Sequence, residues 1–412
     1  MELLESALRF LGELGVFQSL LLIPVAVGSI YAVLCLIAVA VFSSRKPRAE
    51  GPAWPAVTLL KPVCGLEKGL EENLRSACLQ DHPEYQVVFS VQDPNDPTLP
   101  LLEKIRAEFG HELVTIVVAE GRPRANGKIH NLVYALRAAR HELLAFSDSD
   151  VRLEPDFLRV ITAPLRDDPK IGFTCTPYRA VGAERWFEKL ELLSLHDFTV
   201  NVIFAVMTGA SAFCLGSSLA LRRSTLDAIG GLEPLEDYLV EDFELGKRIR
   251  EQGLKGVLVP YSVDTMVDLP NAAAWWRHQL YWDKNTRFAR PKGFFATLVI
   301  RPVAFALLFA AWRLFDPLGL VVLGATLALR IGTSAAILAL LRDREGLLNL
   351  PWLAVRDLAG MAIWVLALQK GTVMWRGQRF ELTPDGRMTP VPSQEEPLSG
   401  NTPVTSTLHA GD

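Results

Sequence analysis

Uncharged apolar stretches alternate with segments of mixed polarity along this chain, and the changes between them predict its layout. No charged residue occurs between Glu13 and Arg45, and Val16 to Phe42 exceeds the roughly 20 apolar residues a helix needs to cross a bilayer. The stretch is predicted to span rather than to be cleaved. It is longer than the roughly 7–15-residue core of a signal peptide, Glu2, Glu5 and Glu13 precede it, and no small-residue cleavage site ends it. Arg45, Lys46 and Arg48 follow, and the positive-inside rule then places the next domain in the cytoplasm.

Residues 50–292 read as one α/β domain. Val57 to Leu60, Val87 to Val91, Val114 to Val118 and Leu143 to Phe146 are short apolar runs suited to strands. Between them lie helical patterns at Leu66 to Leu79, Leu99 to Phe109 and Ile129 to Ala139, an alternation that predicts βαβ units and a mostly parallel sheet. Ligands of such sheets bind at the carboxyl ends of strands, where Asp93 and Asp148 stand.

Val202 to Leu221 also lacks charge, but it is rich in Gly, Ser and Thr and is followed by Arg222 and Arg223. A crossing there would separate Asp242 from Asp93 and Asp148, so the segment is expected to form core strands with a surface that touches lipid. From 293 to 389 the chain turns apolar again. Pro317 to Leu341 and Leu350 to Leu368 are span candidates interrupted by Arg330, Arg356 and Asp357, which must face protein, water or headgroups. Phe294 to Trp312 fits either a span or an interfacial helix. Lys370, Arg376, Arg379 and Arg387 favour a cytoplasmic end, hence two C-terminal crossings and three in all; the compact anchors, with no eukaryotic-style retention signal, suggest a bacterial inner membrane. Residues 390–412 are rich in Pro, Ser, Thr and Glu and are expected to be disordered.

Composition narrows the class. Of 412 residues half are hydrophobic and the formal charge is only −4, so neither a disordered nor a nucleic-acid-binding class fits, and a membrane-associated globular enzyme does. The five cysteines are scattered, without CxxC or His-rich spacing, which argues against a disulfide framework or a zinc site.

The candidate chemistry lies in three acidic islands: Val91-Gln92-Asp93, Ser147-Asp148-Ser149-Asp150 and Val240-Glu241-Asp242. This order suits a nucleotide-sugar site, in which one acid reads the base, a pair holds a metal and the last activates an acceptor hydroxyl. On its own a single Asp at a strand end is more often a cap or turn former, and Asp93, before Pro94-Asn95-Asp96-Pro97, fits that description too. Asp148 and Asp150 alternate onto one side, and two such charges beside a buried strand are costly without a cation. Their oxygens suit Mg²⁺ or Mn²⁺. Asp242 begins an amphipathic helix, where N-capping is the bland role and a low pKa the expectation. Gly230-Gly231-Leu232 before it reads as a loop able to close over a ligand.

With Thr58-Leu59-Leu60-Lys61-Pro62-Val63-Cys64-Gly65 and Asn126-Gly127-Lys128-Ile129-His130-Asn131-Leu132 added, the chain resembles the ceramide glucosyltransferases and their bacterial relatives over about residues 55–290 and the N-terminal anchor. The resemblance implies a GT-A fold, a UDP-sugar donor, a divalent metal and inversion at the anomeric carbon. It assigns Asp93 to uridine, Asp148 and Asp150 to the sugar-phosphate and metal, Lys128 to the diphosphate, Asp242 to the general base and His196 to the acceptor side. A lone helical His is more often structural.

One motif departs. Where the family has (Gln/Arg)-x-x-Arg-Trp, this chain has His278-Gln279-Leu280-Tyr281-Trp282. Trp282 still offers a wall for donor or acceptor, but the bidentate guanidinium is missing, and Arg277, Lys284, Arg287 or Arg290 would have to replace it. The basic residues and Trp275, Trp276 and Trp282 also fit an interfacial belt. The expected function is transfer of a hexose from a UDP-sugar to a membrane lipid hydroxyl, ceramide foremost. Transfer of N-acetylglucosamine to a hopanoid is the alternative, and an inactive lipid- or nucleotide-binding scaffold the alternative of another class. A processive synthase would need more spans and an intact motif.

Overall fold

The computed structural model describes residues 15–47, 51, 53–121, 126–210, 214–238, 240–369, 373–375, 378–383 and 387–390. The expected disorder after Pro390 falls outside them, as do Arg48, Lys370 and Arg376.

A 28-residue helix, α1 (Val16–Ser43), leads into the α/β domain. Its elements follow in the order β1 (Val57–Pro62), α2 (Leu70–Cys78), β2 (Tyr85–Val91), α3 (Leu99–Phe109), β3 (Val114–Val118), α4 (Gly127–Ala138), β4 (Leu143–Ser147), β5 (Val151–Arg152), α5 (Phe157–Asp167), β6 (Ile171–Cys175) and β7 (Tyr178–Val181). Then come α6 (Trp186–Met207), β8 (Ser218–Arg222), α7 (Arg223–Ala228), α8 (Glu241–Glu251), β9 (Lys255–Leu258) and β10 (Val263–Met266). The main sheet has the order β3-β2-β1-β4-β8-β6-β9. Its first four strands are parallel, and β8 runs antiparallel to both β4 and β6. A small sheet β5-β10-β7 stands beside it. The expected GT-A type α/β architecture is thus met.

The strands read as unbroken apolar runs because both faces are covered. Leu59 and Val87 pack with Leu74, Leu102 and Phe157 on one side, while Leu60 and Val88 pack with Ile129 and Leu132 on the other. The second cluster also takes in Cys35, Val39 and Phe42 of α1. The N-terminal helix is therefore built into the core of the domain rather than tethered to it.

Val202 to Leu221 is not a pair of core strands. Its first residues finish α6, a helix whose start is set well upstream, where Glu188 accepts from Arg185 N and from its guanidinium, and only Ser218–Arg222 joins the sheet. By length and composition α6 joins α1, Pro317–Leu340 and Arg344–Ala367 as a helix able to cross a membrane. The last two contain α12 (Pro317–Leu340) and, after the short α13 (Arg344–Asn349), α14 (Leu353–Ala367). Before them, α9 (Ala272–Ala289) leads to α10 (Pro291–Val299) and α11 (Pro302–Trp312), which break by 42° at Arg301-Pro302. Strands β11 (Val373–Trp375), β12 (Gln378–Leu382) and β13 (Met388–Pro390) form a third sheet.

The charges that interrupt the apolar helices are paired inside the protein. Arg330 of α12 contacts Asp197 of α6 at 2.5 Å and Asp357 of α14 at 2.9 Å. Arg356 contacts Asp197 and, at 3.1 Å, Asp357. Two arginines and two aspartates cancel, which is how ionisable groups are tolerated away from water.

Candidate active site

The Asp148-Ser149-Asp150 loop leaves β4 at the carboxyl edge of the sheet. One strand over, Lys61 follows the Leu60–Phe146 register pair, so its side chain reaches the loop from beneath. Fully buried, its ammonium donates to Ser147 Oγ (3.1 Å), Asp148 O (2.6 Å) and Val151 O (2.9 Å). Burial pushes its pKa down to about 8, against the pull of Asp150 and Asp148. Asn73 donates to Ser149 O at 3.3 Å, Ser149 Oγ to Glu67 Oε2 at 2.9 Å, and Met266 N to Asp150 O at 2.9 Å. The loop's backbone is thus pinned from three elements while the Asp148 and Asp150 carboxylates remain for chemistry.

Burial, and then the charges of Asp148 and Glu67, push Asp150 up to about 7 despite Lys61 and Lys128. An acid so strained by a like charge gains from a cation, and the pair fits a divalent metal. Among the described residues no three His, Cys, Asp or Glu side chains converge on one point. A metal here would take few protein ligands and complete its shell with water and phosphate oxygens, as Mg²⁺ commonly does.

Across the cleft, Asn126 caps α4 by accepting from Lys128 N and Ile129 N, and its amide donates to Tyr238 O and Glu241 Oε2 at 3.2 and 3.1 Å. This ties α4 to the loop before α8. Lys128 Nζ lies 2.7 Å from Asp148 Oδ1 and 3.4 Å from Glu241 Oε1. Burial works against its charge, but Asp148 and Glu241 together hold it well above the ordinary lysine value. Asp242 Oδ2 accepts from Gly216 N at 2.9 Å and Oδ1 from Phe243 N at 2.7 Å. A Cβ on Gly216 would lie 3.2 Å from both Lys128 Nζ and Asp242 Cβ, so the smallest residue leaves room for both side chains. The low pKa expected of a helix-start carboxylate does not hold. Burial, reinforced by Glu241, outweighs Lys128 and the two amides and pushes Asp242 up to about 7.

The structure therefore gathers Asp148, Asp150, Lys128 and Asp242 at one sheet edge. Asp93 follows β2 on that edge, exposed, and accepts from Asn95 N at 2.8 Å in a turn. His196 is elsewhere, buried on α6 beside Asp197, and its Nε2 has no hydrogen-bond partner among the described residues. Trp282 projects from α9, 42% exposed. Burial above all raises the Tyr281 hydroxyl, an Asn285 hydrogen bond opposes this, and Glu241's charge adds to it. Of the four cations named as substitutes, Arg290 comes within 5.6 Å of the Phe243 ring next to Asp242, whereas Arg287 is turned to the Ala367 carbonyl.

Sequence reasoning missed the roles of two residues. Lys61 is the loop's pin; the sequence marked it as part of the Lys61-Pro62-Val63-Cys64-Gly65 segment but gave it no role. Asp96 is buried and accepts from Gly65 N (3.1 Å) and Thr98 N (2.9 Å), joining the loops after β1 and β2.

Known proteins are similar to this chain in sequence or in fold. Ceramide glucosyltransferase 1 of Caenorhabditis elegans is 26% identical over 50% of this chain and 44% of its own length, so the chain spans less than half of that relative. Ceramide glucosyltransferase 3 of the same organism is 22% identical over 83% of this chain and 76% of its own. Among solved structures, a mannosyltransferase from Pyrobaculum calidifontis in complex with GDP-Man and Mn²⁺ is similar at a TM-score of 0.48 and 20% identity, over 85% of this chain and all of that one. Glucosyl-3-phosphoglycerate synthase from Mycobacterium tuberculosis, with Mn²⁺ and UDP, is similar at 0.35 and 17% over 63% of this chain and 84% of that one. The profile of glycosyl transferase family 21 matches residues 20–388, nearly the whole sequence, and the chain belongs to that family.

Proposed function

We propose that the protein transfers a hexose from a UDP-sugar to the hydroxyl of a membrane lipid, ceramide or a chemically similar one, with inversion at the anomeric carbon. The observation that carries this reading is the chain of contacts Asp148–Lys128–Glu241 beside Asp242, at 2.7 and 3.4 Å. It brings a cation and two carboxylates together at the sheet edge that carries Asp242, which supports the reading. Asp242, pushed up to about 7, is matched to taking a proton from an acceptor hydroxyl near neutrality. That oxygen attacks the anomeric carbon from the face opposite the diphosphate, in one displacement. Lys128 offers a point charge to the departing diphosphate. A divalent ion held by Asp148 and Asp150 would neutralise diphosphate charge as a Lewis acid. Asp93 contacts the uracil, and Trp282 lines the acceptor side. The lipid reading rests on α1 and α6, apolar enough to cross a membrane and packed into the same core as the strands, and on the names of the two nematode relatives. The basic residues after α1 favour a catalytic domain on the cytoplasmic face.

The test is direct. Detergent-purified protein is incubated with Mn²⁺, UDP-glucose, UDP-galactose and UDP-N-acetylglucosamine, together with ceramide and bacteriohopane polyol, and lipid products are read by mass. A hexosyl-ceramide supports the proposal, and an N-acetylhexosaminyl-hopanoid keeps the mechanism while changing the acceptor. Metal-dependent UDP binding with no product in any pairing would make the protein a binding scaffold.

A further inference from the structure

Glu191 lies on the inner face of α6, 2% exposed, and a carboxylate so placed must find partners within the protein. It finds them on α9. Gln279 Nε2 donates to Oε2 at 2.7 Å, and His278 Nδ1 stands 3.0 Å from Oε1, close but not aligned as a hydrogen bond. The other ring nitrogen is occupied as well, because Trp282 Nε1, one turn further along α9, donates to His278 Nε2 at 2.8 Å.

These contacts select a tautomer. An indole N–H can only donate, so His278 Nε2 must present its lone pair. The imidazole proton then belongs on Nδ1, facing the carboxylate that favours it there. Two neighbours of opposite demand select one tautomer, and the imidazole and indole meet edge to face, at 84° with centroids 5.9 Å apart. An exposed indole would otherwise sample several rotamers and lose that freedom whenever a ligand packs on it.

We propose that Glu191 and His278 are positioning residues, a carboxylate–imidazole–indole relay that holds Trp282 in the orientation its acceptor-side wall requires. The proposal rests on the acceptor reading given above. His278 occupies the first position of the motif that Trp282 ends. Glutamine there would also work physically, since its amide can donate toward Glu191 while its carbonyl accepts from the indole.

The experiment uses the full-length protein in detergent, with His278→Ala, His278→Gln and Glu191→Gln variants and Trp282→Phe as a spectral reference. The Trp282 indole ¹H–¹⁵N resonance is identified among nine tryptophans by its loss in Trp282→Phe. His278→Ala should move that resonance toward the position of an unbonded indole and raise the acceptor KM roughly fivefold or more, the loss expected for one net hydrogen bond. The donor KM should stay constant. Glu191→Gln should give a smaller change in the same direction, and His278→Gln should restore both readouts. An unmoved resonance in His278→Ala, or equal behaviour of the Ala and Gln variants, overturns the relay. If wild-type protein transfers nothing to any lipid, the resonance still decides the relay, and the functional reading fails separately.

Discussion

Replacing Lys61 with Met keeps the side-chain length and removes the ammonium that pins the acidic loop. Three acceptors lose their donor: Ser147 Oγ, Asp148 O and Val151 O. Hydrogen bonds from a charged donor are worth about 1.5–3 kcal/mol each, which sets a gross loss of about 4–9 kcal/mol. Against this stands the cost of holding a charge there. A pKa depressed from 10.5 to about 8 corresponds to about 3 kcal/mol that methionine does not incur. The net expectation is a destabilisation of about 1–6 kcal/mol, centred near 3, together with a larger functional loss. The loop carries Asp148 and Asp150, and loss of a supporting contact of this kind weakens metal binding by about 10–100-fold. Thermal unfolding in detergent gives the first number, and Mn²⁺ titration of UDP binding gives the second. Unchanged stability with unchanged metal affinity would refute the pinning role. A stability loss alone would reduce Lys61 to a packing residue.

The paired acids also give a pH signature. Asp150 is raised from 3.8 to about 7, so the folded state holds that proton more tightly than the unfolded chain. Stability without metal should therefore fall as pH rises through that window. Mn²⁺ competes with the proton, so its stabilising effect on Tm should be larger near pH ~8 than near pH ~6. It should vanish in Asp148→Asn/Asp150→Asn, and an equal shift at both pH values contradicts the assignment. In the apolar helices, Arg330→Met leaves Asp197 and Asp357 sharing Arg356 alone and should cost about 3–5 kcal/mol, read as loss of monodisperse folded protein on heating. Adding Asp357→Asn to Arg330→Met should recover part of that cost, and strictly additive losses would show that the quartet is not coupled.

Strands and acids were legible in the sequence for a shared reason. A parallel sheet covered on both faces demands uninterrupted Val and Leu runs, and its ligand edge lies where those runs end, so β1 to β4 and Asp148 could be read from pattern. The α6 region could not. Its apolar tail continues a helix begun at the Arg185/Glu188 cap, and the absence of charge from Val202 to Leu221 hid the join between that helix and β8. Lys61 was visible in its motif but its role was not, because a lysine ending an apolar run looks like a strand exit, and the Leu60–Phe146 register is what sets it under its three acceptors. Arg330 had to have a partner, but Asp197 lies 133 residues away. Asp242 was visible as a residue and misjudged in its acidity, since its burial and Glu241's charge outweigh the helix start.

Asp242→Asn tests the central claim most directly, because it keeps the shape of the side chain and removes its ability to take a proton. UDP-sugar affinity, measured by calorimetry with Mn²⁺ present, should stay within a few-fold of wild type, while turnover of a lipid acceptor falls by about 10² or more. Turnover within tenfold of wild type, or loss of donor binding in step with activity, would contradict the role of Asp242 as the base.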